Sequence, residues 1–269
     1  EIWLGQTKLP GNRERVISSQ QLQFVDRSLV NSRFNIDRDM GIQFHNKKKF
    51  GNVVTKQAFA ISQGEGRNRT SGNYGGLEYT GRVEVLPFGE FTGKGDYFGS
   101  DLKREATPKL SIGVTYDYND RAARERGNLG SYVADTAYSS LNTAFVDLMF
   151  KYNGLSVAAE YANKQINGDR LVDTEGNFIS NYYTGSGTVV QAGYLLPSNL
   201  EFAARYTTIT PEQASGRDLQ DMYTLGVSKY IVGHYLKIQS DFSYLLETDQ
   251  FTDEQAGEFI YRFQVELAF

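Results

Sequence analysis

The chain of 269 residues has no cysteine. Disulfides, thiolate chemistry and cysteine zinc sites are therefore excluded. Histidine is scarce, with only His45 and His234 present, which leaves little material for a catalytic base. No apolar run approaches the roughly 18 residues of a membrane-crossing helix. An excess of positive charge is also lacking. The formal net charge is −4, so nothing electrostatic points to nucleic acid. The start, "EIWLGQ", carries neither an initiator methionine nor a signal peptide, so the chain reads as a processed or partial form.

What the chain does have is aromatic residues and alternation. It contains 18 Tyr and 17 Phe. In the closing segment "EFIYRFQVELAF", Phe259, Tyr261, Phe263, Val265, Leu267 and Phe269 fall on one face, and Arg262, Gln264 and Glu266 on the other. The pattern recurs in "PKLSIGVTYDYND", "GLEYTGRVEVLP", "NLEFAARYT" and "YLKIQSDFSYLLE". Strict alternation indicates strands with unlike faces. Such strands suit a soluble sandwich, with the apolar face turned into a core. They suit a membrane barrel equally, with the apolar face turned to lipid. The negative mean hydropathy does not separate the two, because half of each barrel strand faces water. Strand length favours the barrel: the segments run about ten residues, as in a tilted membrane strand, whereas soluble strands more often run five or six.

The connections point the same way. Short turns at 152–154, 196–199 and 232–234 alternate with long polar loops near 119–142, 165–187, 209–221 and 247–257. Short turns at one end and long loops at the other are the outer-membrane arrangement. About twelve antiparallel strands are expected, near 1–9, 36–45, 52–62, 76–87, 108–119, 143–152, 155–165, 187–196, 199–209, 221–232, 235–247 and 258–269. The even count puts both ends, including the C-terminus, on the periplasmic side. The third segment, "NVVTKQAFAIS", is apolar on both faces, and the 88–107 stretch is a long connection on the short-turn side. Neither fits the simple pattern.

The first forty residues carry a more specific signal. "GQTKLP", "RER", "SS", "FVDRS" and "RDMG" follow one another at Gly5–Pro10, Arg13–Arg15, Ser18–Ser19, Phe24–Ser28 and Arg38–Gly41. This succession resembles the phosphate-selective porin O and P family, as do "YTGRVEVLPFGE" and "LMFKYNGLSVAAEYA". The resemblance implies a Gram-negative outer-membrane β-barrel porin, with outer-membrane lipid and lipopolysaccharide around it. It also implies sixteen strands and a homotrimer. On that count about four strands are absent before Glu1, or the chain is a shorter relative. A terminal Phe such as Phe269 resembles the signal read by barrel-assembly machinery.

The 10–35 loop is too long for a turn and carries Arg13, Arg15, Arg27 and Arg33. Either it is a solvated outer loop, or it folds inward as a constriction whose guanidinium groups meet anions as forked donors. By alternation, Arg82, Lys151, Lys164, Arg205, Lys237 and Arg262 face the lumen. So do Glu78, Glu84, Asp117, Asp147, Glu160, Glu201, Asp241 and Glu266. Salt screens such mixed charge over about 8–10 Å, and no arginine ladder is evident. The expectation is therefore a general porin for small hydrophilic solutes and ions with weak anion preference. Phosphate specificity is not expected, nor are a cofactor or a metal. The glycine-rich 64–76 stretch lacks nucleotide-loop spacing, "NKKK" at 46–49 reads as a solvated turn or a contact for anionic groups, and "DRD" at 37–39 puts two acids on one face, the pattern of a calcium site, though none is expected. An enzyme would need a placed base, and both histidines fall at the wrong end of the barrel for a lipase or protease site. A structural barrel subunit of a larger outer-membrane complex is the alternative reading.

Overall fold

The computed structural model describes residues 1–69, 74–133, 138–168 and 182–267. Twelve strands form one antiparallel sheet in sequence order. They are β1 (Ile2–Lys8), β2 (Arg38–Phe50), β3 (Val53–Ser62), β4 (Glu78–Leu86), β5 (Lys109–Ala122), β6 (Ser139–Tyr152), β7 (Leu155–Asn167), β8 (Gly185–Leu195), β9 (Leu200–Pro211), β10 (Leu219–Val232), β11 (Leu236–Thr248) and β12 (Gln255–Leu267). Among the described residues, β1 pairs only with β2 and β12 only with β11. Phe269, expected at the rim, lies outside the described residues.

Alternation decides which side of each strand is enclosed. In β5, Thr115 is fully buried while its neighbour Val114 is 52 % exposed. The outer face carries Val83, Tyr223, Leu225 and Phe242, all exposed, and the enclosed face carries Thr80, Asp117, Thr207 and Ser243, all buried. A curved sheet with polar inside and apolar outside is the membrane-barrel arrangement. A soluble sandwich would bury the opposite set, so the expected fold class holds.

The turns follow from local chemistry. Asn153 and Gly154 both have positive φ (48° and 88°) between β6 and β7. That is the two-residue hairpin turn that matches strand twist. "NKKK" differs from its expectation. Asn46–Lys49 continue β2, and the turn comes later, at Gly51–Asn52. Polar side chains do not end a strand whose backbone stays paired: Lys47 still faces Lys56, and Lys49 faces Val54.

The two irregular segments of the sequence have one cause. The connections 9–37 and 87–108 both fold onto the enclosed face. The first holds α1 (Arg13–Val16), a 3-10 turn at Ser19–Gln21 and α2 (Leu29–Phe34), and the second a 3-10 segment at Thr92–Tyr97. Their apolar residues need apolar wall. Leu9, Val30, Phe34 and Ile36 pack with Ala60, Phe145, Ala162, Val189 and Ile209. Ile17, Leu22 and Phe91 pack with Val54, Leu86 and Met149. Val54 and Ala60 belong to β3, which is why that strand is apolar on both faces. Full burial of each such large side chain contributes roughly 1.5–3 kcal/mol. Close approach also needs Gly187, where a Cβ would come within 2.9 Å of Phe34 and 2.7 Å of Ile209.

The outer face supplies a direct test. Val114→Arg should destabilise the bilayer-inserted protein by about 2–4 kcal/mol if Val114 sits near the midplane, while Arg262→Ala should be mild. Reversible urea unfolding in lipid vesicles measures both. Equal, small effects would contradict a lipid-facing β5.

Candidate functional site

The interior is built from the 9–37 segment upward. Pro10 ends the β1 run, and Leu9 N–H donates to Asp37 O at 2.9 Å, which closes the neck of the segment. Gly11 passes against Ile36, where a Cβ would lie 2.9 Å from its neighbour. Ser28 caps α2 by accepting from Asn31 N–H at 3.3 Å. Glu14 in turn accepts from Ser28 N–H at 2.9 Å. Val30 and Phe34, four residues apart on α2, then share the face that meets the wall.

This folding delivers Arg13 into a buried cluster. Arg13 Nε lies 2.5 Å from Asp147 and Nη2 3.5 Å from Glu84. Arg82 lies 2.7 Å from each of the same two acids. Arg13 also donates to Asp96 O at 3.1 Å and Ser111 Oγ at 2.9 Å. Arg82 donates to Gly11 O at 3.1 Å and Thr115 Oγ1 at 2.9 Å. The four side chains are between 0 and 6 % exposed, and their formal charges cancel. Burial alone would ease the proton off Arg13, but Asp147 and Glu84 outweigh it and hold the guanidinium more firmly charged than usual. Gly113 leaves room for the cluster, since a Cβ there would meet Arg82 at 2.4 Å.

A second group is net positive. Asp37 is bound by Arg15 and Arg67, with Arg38 at 3.4 Å. Burial would raise the Asp37 carboxyl, but the hydrogen bonds from Arg15 and Arg67 dominate and hold it below its usual value of 3.8. Lys8 donates to Val16 O at 3.0 Å, and Arg27 donates to Ile17 O at 2.8 Å. The charges of Arg15, Arg27 and Arg38 act on Lys8, and Glu14 and Asp26 act on Arg27. Five cations thus gather at the neck of the inward segment.

The remaining candidates are dispersed. Arg33 donates to Gln220 at 3.1 Å. Arg205 stacks on Phe24 with its guanidinium 4.5 Å from the ring centre and donates to Asp26 O at 2.9 Å. Lys237 pairs with Glu266 at 3.1 Å, and Arg262 with Asp241 at 3.4 Å. Among the expected cations, then, the fold joins Arg13 to Arg82 and Arg15 to Arg27. Lys8, Arg38 and Arg67 were missed. They lie on different segments, and the one visible hint was Asp37 in "DRD". That acid receives guanidinium groups, which would repel a cation, while Asp39 accepts from Gly64 N–H at 2.5 Å.

The 87–108 segment was likewise unassigned. Asp101 accepts from Gly154 N–H at 2.8 Å, Arg104 donates to Leu195 O at 2.7 Å, and Lys151 donates to Phe98 O and Ser100 O at 3.0 and 2.6 Å. Its tip meets the first segment through Gly99 N–H to Gln21 O at 2.8 Å. The histidines serve packing. His45 stacks on Trp3 with ring centres 4.0 Å apart. His234 donates through Nδ1 to Gln20 O at 3.1 Å. Burial, then Lys237 and Lys151, push His234 down to about 3.

Two outcomes follow. Arg82→Met leaves two buried carboxylates short of a partner and should cost about 3–5 kcal/mol, whereas Arg82→Met with Asp147→Leu should recover part of that loss. A double-mutant cycle by urea unfolding reads the difference, and strict additivity would contradict the cluster. Separately, Asp37 titrates lower when folded, so its contribution is complete above its unfolded pKa and is lost as pH falls through the folded one. Stability should drop below about pH 4, less steeply in Asp37→Asn, as an acid titration of the fold by circular dichroism would show.

Comparison with known proteins agrees with this architecture. A family model described as phosphate-selective porin O and P matches residues 1–265. A curated protein of Aquifex aeolicus, described as uncharacterized, is 27 % identical over 254 residues, covering 88 % of this chain and 57 % of that protein. The chain thus spans little more than half the length of this relative. Among solved structures, OmpT, an outer membrane protein of Vibrio cholerae solved in a trimer form, aligns with a TM-score of 0.50 at 10 % identity over 97 % of this chain and 76 % of its own. The family match runs through nearly every strand and both inward segments, and the chain belongs to the phosphate-selective porin O and P family.

Proposed function

We propose that the protein is an outer-membrane porin for passive diffusion of small hydrophilic solutes and ions, with modest anion preference and without phosphate specificity. The supporting observation is the five-cation group of Lys8, Arg15, Arg27, Arg38 and Arg67, which outnumbers its neighbouring carboxylates Asp37, Glu14 and Asp26. The cluster of Arg13, Arg82, Glu84 and Asp147 is neutral by comparison. Near a constriction, water is restricted and a few unbalanced charges count for more than the same charges in an open lumen. The inward 9–37 segment is the natural constriction, because it crosses the enclosed face and carries this group at its neck.

The preference is modest because each cation is already engaged, by Asp37 or by backbone carbonyls. A phosphate would need several guanidinium groups free to converge on it. Arg13 and Arg82 converge, but on Asp147 and Glu84. The porin reading involves no catalysis, and neither histidine is held as a base beside a nucleophile: His45 lies against Trp3 and His234 against Gln20. We further propose a homotrimer, as in the solved trimer form of OmpT, with lipid and lipopolysaccharide around it and the short turns in the periplasm.

Planar-bilayer recording tests the reading. Discrete channel steps are expected, and their absence from a folded preparation would favour a structural subunit of a larger complex. Under a salt gradient, Arg15→Ala with Arg27→Ala should move the reversal potential toward cations, Asp37→Asn should move it toward anions, and Arg121→Ala, exposed at the long-loop end of β5, should leave it unchanged. An unchanged potential in both neck variants would remove the five-cation group from the conduction path.

A further inference from the structure

We infer that solute leaves the interior at the short-turn end through the cavity beside the 87–108 segment, and that this exit discriminates by size rather than charge. The inference rests on the porin reading. A cavity of about 550 Å³ lies between the two inward segments and the ends of β6 and β10. Gln20, Thr92, Lys103, Lys151, Tyr230 and His234 are among its walls.

Three observations support a fixed passage here. First, the 87–108 segment is tied down at both flanks. Arg104 reaches the β8–β9 turn, Asp101 the β6–β7 turn, and Lys151 holds Phe98 and Ser100 from the wall. Its contact with the first segment is also tight: a Cβ on Gly99 would come within 2.6 Å of Gln23 N. These two segments do not part easily, so the space beside them is the open route. Second, the charges around the cavity balance locally. Lys103 and Lys151 line it together with Asp101 and Glu105, and both carboxylates accept from backbone N–H groups. Third, one wall of the cavity is built of packed rings. His234 sits 5.3 Å from both Phe98 and Tyr230, measured between ring centres.

The absence of native cysteine makes the test clean. Gln20→Cys and Lys103→Cys place single thiols at the cavity, and Asn52→Cys places one in the β2–β3 turn at the same end. Each channel is recorded before and after the anionic sulfonatoethyl and the cationic trimethylammonioethyl methanethiosulfonate. At Gln20→Cys and Lys103→Cys both reagents should remove about half of the conductance or more, to similar extents, because either adduct narrows the passage. Asn52→Cys should be indifferent. Conductance unaffected at both cavity positions overturns the route. Opposite effects of the two reagents overturn the size-only filter. Absence of conductance from the unmodified protein refutes the porin reading itself, and this inference with it.

Discussion

Arg13 cannot be buried alone. A guanidinium removed from water needs a counter-charge and a partner for each N–H. It finds these on four different parts of the chain: Asp147 on β6, Glu84 on β4, Ser111 on β5, and the Asp96 carbonyl on the second inward segment. Arg82 balances the remaining charge and fastens the Gly11 carbonyl. One neutral cluster thereby pins the first segment to the wall and the second segment to the first. The positions of the cations at the neck and of the cavity at the far end both follow from that pinning.

The consequence is an interior filled by protein rather than by a wide column of water. Where apolar residues of the inward segments press on it, the wall becomes apolar; where their polar residues lie, it keeps the serines, threonines and carboxylates that bond them. Charge is sorted in the same way. Opposite charges cancel in the Arg13 cluster, and an excess of positive charge collects at the neck, where Asp37 receives several guanidinium groups.

Alternation made most of the strands legible, because lipid and lumen impose a two-residue period on every one of them. The expected strand boundaries lie within a few residues of the observed ones for most of the chain. β3 was ambiguous because its period is overwritten by Val54 and Ala60, which meet partners more than twenty residues away in sequence. β2 ran on through "NKKK" because backbone pairing, not side-chain polarity, sets where a hairpin turns. The 87–108 segment looked anomalous because its anchors, at Gly154, Leu195 and Lys151, are remote in sequence.

The sequence by itself determined the fold class, the outward and inward faces, and most inward-facing charges from β4 onward. These are local consequences of a repeating pattern, and no knowledge of neighbours is needed to read them. Only the tertiary structure decided which charges meet. Arg13 and Arg15 are two residues apart, yet one enters a neutral buried cluster and the other a positive neck. The difference arises because curling the sheet brings β4 and β6 to one side of α1 and the start of β2 to the other. Pairing in a curved sheet depends on distances through space, and those appear only once the sheet has curved and the segments have folded in.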